Sequence, residues 1–149
     1  MFEELRDLYN ATILERGRRP VHMRRLEAFD ATARGDNPMC GDRVQVWVKS
    51  AADGTISDVG FEARGCEISR ASADLMVEAV MGQGSDGTRA LFAGFCEMVR
   101  SGVCPDCEGL AALQPLASVH EYPSRVKCAT LPWHALMAAL DGRGDASSE

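Results

Sequence analysis

Apolar residues recur with two different periods along this chain, and the switch between them outlines the architecture. Phe2, Leu5, Leu8, Tyr9 and Ile13 stand at helical spacing, which predicts an amphipathic helix over 2–16 that ends before Gly17 and Pro20. An arginine-rich loop follows. Residues 27–35 alternate loosely, and Val44–Val48 and Ile56–Ala63 read as two clearer strands joined through Ala52-Asp53-Gly54. These runs predict a small antiparallel meander.

From Ile68 the period lengthens. Ile68, Ala71, Leu75, Met76, Ala79 and Val80 form one helical face with Ser69 as candidate N-cap, so Cys66 falls at a strand-to-helix junction. Gly82-Gln83-Gly84-Ser85 closes that helix, and Leu91, Phe92, Phe95 and Val99 predict another over 88–100, with Cys96 on its stripe. Residues 102–123 read as a loop with one brief helix near Leu110. A last helix follows Cys128, with Pro132 in its first turn and Trp133, Leu136, Met137 and Leu140 spaced for packing. Residues 142–149 look like a flexible tail, leaving 1–141 as a single compact domain.

Composition narrows the functional classes. A share of 46% hydrophobic residues in 149 is enough for a real core, and the net charge of -6 argues against a nonspecific nucleic-acid binder. Arg16, Arg18, Arg19, Arg24 and Arg25 are a local exception in a chain with two lysines. The plainer reading is a solvated segment, the alternative a docking patch for an acidic protein. No apolar run reaches the ~18 residues that span a bilayer, and the acidic opening Met1-Phe2-Glu3-Glu4 is unlike a signal peptide, so a cytoplasmic protein is expected. Six cysteines in such a chain point to metal or thiol chemistry rather than disulfides.

Three of those cysteines lie where loops meet regular elements. Cys40 sits in Asn37-Pro38-Met39-Cys40-Gly41-Asp42, Cys66 after Gly65, and Cys128 after Arg125-Val126-Lys127. Helix N-termini and flanking cations favour thiolates, and soft thiolates select zinc, copper(I) or iron-sulfur clusters. Asp42 can add an oxygen ligand. Cys96 reads as a buried packing residue. Cys104-Pro105-Asp106-Cys107 is a lone C-x-x-C, more a loop feature than a redox or metal pair. His22, His120 and His134 read as surface or packing histidines.

The segments Asn37-Pro38-x-Cys40-Gly41-Asp42, Gly65-Cys66-x-Ile68-Ser69-x-Ala71-Ser72 and Arg125-x-Lys127-Cys128-Ala129-x-Leu131-x-Trp133 together resemble the NifU-like scaffolds of iron-sulfur cluster assembly. Lys127, where IscU-type members carry a histidine, and the long stretch before Cys128 are similar to the SufU type. That resemblance implies an α+β domain with a three-stranded antiparallel sheet packed against several helices. It further implies one metal site of Cys40, Asp42, Cys66 and Cys128 holding Zn2+, with Cys40 as acceptor of persulfide sulfur. The implied partners are a SufS-type cysteine desulfurase as donor and the SufBCD-type assembly complex as recipient. The alternatives are a scaffold for a transient [2Fe-2S] cluster on the same ligands, and a structural zinc module that only binds partners.

Overall fold

The computed structural model describes residues 10–38, 41–103 and 109–147. Helix α1 (Ala11–Arg18) leads into strands β1 (Ala31–Asn37), β2 (Asp42–Ser50) and β3 (Ile56–Arg64). Helices α2 (Glu67–Val80) and α3 (Ser85–Ser101) follow, then a 3-10 helix (Ala111–Glu121), helix α4 (Pro123–Leu140) and the short strand β4 (Asp145–Ser147). The sheet order is β3-β2-β1-β4, antiparallel through the first three strands and parallel between β1 and β4.

The expected meander is there because Val44, Val46 and Val48 alternate inward on β2 and fill the space beneath the helices. Two differences from the sequence reading concern the closing third. The stretch 145–147, read as tail, adds a parallel strand along β1 by pairing Arg34 with Asp145, Gly35 with Ala146 and Asp36 with Ser147. Helix α4 starts at Pro123, where a proline at the first helical position loses no hydrogen bond, so Cys128 lies inside the helix rather than before it. Pro132 is then an interior residue that offers no N–H to the carbonyl of Cys128.

Helix α4 is apolar nearly all round, with Cys128, Ala129, Leu131, Trp133, Leu136 and Ala139 all buried, as a central helix must be. It packs against β1, β2 and α2, while α3 and the 3-10 helix close the core behind it and Phe95 stacks on Trp133 with ring centroids 4.9 Å apart. Helix α1 lies on α2. The segment after it crosses the outer sheet face near β3 so closely that a Cβ on Gly60 would stand 2.4 Å from the Arg24 carbonyl oxygen. Trp47 is consequently buried too, beneath Arg25. Among the described residues, no helix is long and apolar enough to cross a membrane.

Candidate metal centre

Asp42 opens β2, and Gly65 follows the last residue of the neighbouring strand β3. Gly65 has φ +134°, a backbone setting that side chains resist, and a Cβ there would stand 1.9 Å from the Asp42 Oδ1. With only a hydrogen in that place, the chain turns tightly enough for the Cys66 N–H to donate to Asp42 Oδ1 at 2.9 Å. The Cys66 thiol then faces the other carboxylate oxygen at 3.4 Å.

Cys66 is the N-cap of α2. Its sulfur accepts the Ser69 N–H at 3.4 Å, a role the sequence reading gave to Ser69 itself. The swap has a physical basis: serine is the better-ranked cap by type, but the turn at Gly65 sets the helix start one residue after Cys66 and places Ser69 inside the first turn. Ser69 is wholly buried there, and its hydroxyl has no hydrogen-bond partner among the described residues. Cys128 arrives from α4, and its Sγ lies 3.5 Å from the Ser124 carbonyl oxygen.

One ligand atom from each of Asp42, Cys66 and Cys128 falls within 4.8 Å of the others. Sulfurs bound tetrahedrally to one zinc ion stand about 3.8 Å apart, so small side-chain adjustments bring this trio to bonding distance. Asp42 and Cys128 are each 1% exposed, while Cys66 is half-buried and gives the group its opening to solvent.

The two thiols share their protons unequally. Hydrogen bonding from Cys128 holds the Cys66 thiol below its ordinary value, aided by the Ser69 N–H and opposed by burial and the Asp42 charge. Cys128 is pushed the other way, first by its hydrogen bond with Cys66, then by burial and by Asp42. The expectation that all three cysteines have lowered pKa values is therefore corrected at Cys128. It lies inside α4 rather than at the helix N-terminus, and Cys66 and Asp42 both act to raise it. The buried Asp42 carboxyl thus stands against a thiol whose pKa is lowered and beside a second thiol. Two sulfurs and one oxygen collected this way are a donor set that fits a thiophilic divalent ion.

Cys40 lies outside the described residues, as do Cys104 and Cys107. The other described residues singled out by sequence are not among the trio. Cys96 is buried on α3 with its thiol pushed up by that burial. His22 contacts Glu78 at 3.1 Å, His134 meets the Phe92 ring edge-on at 5.3 Å, and His120 Nδ1 lies 2.9 Å from the Ala117 carbonyl oxygen. Four of the five clustered arginines are engaged within the fold. Arg16 pairs with buried Asp74 at 2.7 Å and with Glu78, Arg18 with Glu67 at 3.1 Å, and Arg24 with Asp58. Arg25 lies 5.6 Å over the Trp47 ring.

Comparison with known proteins gives the same picture at the level of the chain. Residues 8–129 match the family described as NifU-like N terminal domain. The Iron-sulfur cluster assembly scaffold protein IscU of Streptococcus pyogenes serotype M1 is 37% identical over 137 residues, 92% of this chain and 85% of that protein. The Zinc-dependent sulfurtransferase SufU of Bacillus subtilis is 37% identical over 101 residues, 68% of each chain. Among solved structures, a putative iron-sulfur cluster assembly scaffold protein for the SUF system from Fervidobacterium islandicum superimposes with a TM-score of 0.83. It is 30% identical, with 91% of this chain and 98% of that one covered.

Proposed function

This chain belongs to the NifU-like N-terminal domain family, as an iron-sulfur cluster assembly protein of the IscU/SufU type, and we propose that its part in assembly is zinc-dependent sulfur transfer. The observation that carries the reading is the convergence of Asp42, Cys66 and Cys128 from three separate elements, with a donor set suited to zinc. Cys40, two residues before Asp42 in the sequence, would complete the ligand set. A relative of similar identity is named a zinc-dependent sulfurtransferase.

Bound zinc would keep its cysteine ligands deprotonated at neutral pH. In the transfer itself, the Cys40 thiolate attacks the terminal sulfur of a persulfide on a cysteine desulfurase of the SufS type. The donor's S–S bond breaks, its cysteine leaves as a thiolate, and Cys40 becomes the persulfide, with no net oxidation. A SufBCD-type assembly complex is the recipient. Asp42 would be the oxygen ligand, the most readily exchanged of the four.

Labelled sulfur tests this directly. The wild-type protein should accept label from the desulfurase and raise its turnover, and Cys40→Ala should do neither while keeping its fold. Transfer undiminished in Cys40→Ala would rule out the assignment. A second reading, a scaffold for a transient [2Fe-2S] cluster, is favoured by the exchangeable carboxylate and by relatives named as scaffolds. It predicts visible absorption after anaerobic iron and sulfide. The zinc reading predicts a colourless protein with tightly held zinc.

A further inference from the structure

Among the described residues, part of the sheet's outer face stays open. The segment after α1 covers the part over Trp47, and beside it lies a cleft of about 850 Å3 floored by β1, β2 and β3. Two cross-strand rungs make its floor: Arg34, Gln45 and Glu62, then Asp36, Arg43 and Arg64.

The second rung sets Arg43 directly opposite Arg64, and like charges in that register oppose strand pairing. Asp36 offsets one of them, meeting Arg43 at 3.4 Å. Arg34 and Arg64 have no carboxylate partner among the described residues, in contrast to Arg16, Arg18 and Arg24, which do. In a chain with net charge -6, Arg34 and Arg64, without a carboxylate partner among the described residues, thus share one open face with Arg43, Asp36 and Glu62.

The location ties this face to the metal centre. Arg43 is the residue after Asp42, and Arg64 is the last residue of β3 before Gly65 and Cys66. Strand alternation sends the arginines outward from the same backbone that points Asp42 inward. A partner held on the arginines would be fixed within reach of the site's rim.

We propose that this cleft docks an acidic surface segment of the sulfur donor, placing the donor's persulfide at the end of the sheet where Asp42 and Cys66 lie. The proposal rests on the sulfur-transfer reading for the identity of the partner. Bidentate guanidinium groups suit carboxylates, and clustered charge of one sign raises the rate of encounter with a complementary surface. Docking by such contacts weakens with salt.

The test is calorimetric titration of the cysteine desulfurase from the same cell with the zinc-loaded protein and with Arg34→Glu/Arg64→Glu, alongside transfer of labelled sulfur at saturating protein. The double reversal should weaken Kd at least about tenfold at low salt. Wild-type affinity should fall between about 50 and 300 mM salt, and the reversed variant should lose most of that dependence. Arg34→Lys/Arg64→Lys, which keeps the charge, should stay within about threefold of wild type. Label transfer at saturation should be unchanged in both variants. Equal Kd for the reversed variant and wild type, or wild-type affinity indifferent to salt, overturns the proposal. Salt-sensitive, arginine-dependent binding without label transfer would leave the docking face standing and remove the sulfur-transfer reading instead.

Discussion

Gly65 is the residue on which the candidate metal centre turns, since a side chain there would occupy the place of the Asp42 carboxylate. Gly65→Ala should lower stability by about 1–3 kcal/mol through backbone strain alone. It should also reduce zinc content, because Asp42 must move; urea unfolding and metal analysis on one sample check both. At this scale the sequence was informative where residue type decides chemistry. Asp42, Cys66 and Cys128 stood out as soft and hard ligands at loop junctions, and they meet in space. What residue type could not disclose was role within the local geometry. Serine outranks cysteine as a helix cap, yet Cys66 takes the position because the glycine turn sets where the helix begins. Cys128 was misjudged electrostatically because Pro123 starts α4 earlier than its apolar spacing suggests.

Among the elements, α1 is fastened to α2 by an ion pair with an unequal burial: Asp74 is fully buried and Arg16 partly so. Asp74 also accepts the His22 N–H at 2.7 Å, which anchors the start of the crossing segment. Removing the cation leaves a buried charge behind, so Arg16→Ala should cost about 3 kcal/mol. Arg16→Ala/Asp74→Asn should recover part of that loss, since the amide oxygen still accepts from His22; a double-mutant cycle in urea measures the coupling. This network explains why a run of arginines looked like a solvated or docking segment in one dimension. Its carboxylate partners lie 34 to 62 residues downstream, beyond any local pattern. Strand β4 escaped notice for a related reason: three residues carry too little periodicity to register, and pairing with β1 rather than their own pattern makes them a strand.

For the whole molecule, the metal and the fold should be linked. If zinc is present at a thousand times its Kd, removal by a chelator costs about 4 kcal/mol, or a fall in Tm of roughly 8–16 °C for a domain of this size. Cys128→Ala should melt like the stripped protein and ignore the chelator; scanning calorimetry distinguishes the two. Acid acts elsewhere. His134 is held below its ordinary value of 6.5, chiefly by burial and then by Arg143 and Arg100. The unfolded chain therefore binds the proton first, and the stability present above about pH 6.5 declines as pH falls through the lowered folded value. His134→Phe should flatten that decline in urea midpoints measured at about pH 7.5 and 5.5.

The two tryptophans divide the molecule between them. Trp47 lies under the Arg25 guanidinium on the outer side of the sheet, and Trp133 stacks on Phe95 in the interior, on the helix that carries Cys128. Single-tryptophan variants turn this into a pair of optical channels. Emission from Trp47 will follow lifting of the crossing segment, and emission from Trp133 will follow loosening of the helical layer, so the order in which the two parts let go can be read from light alone.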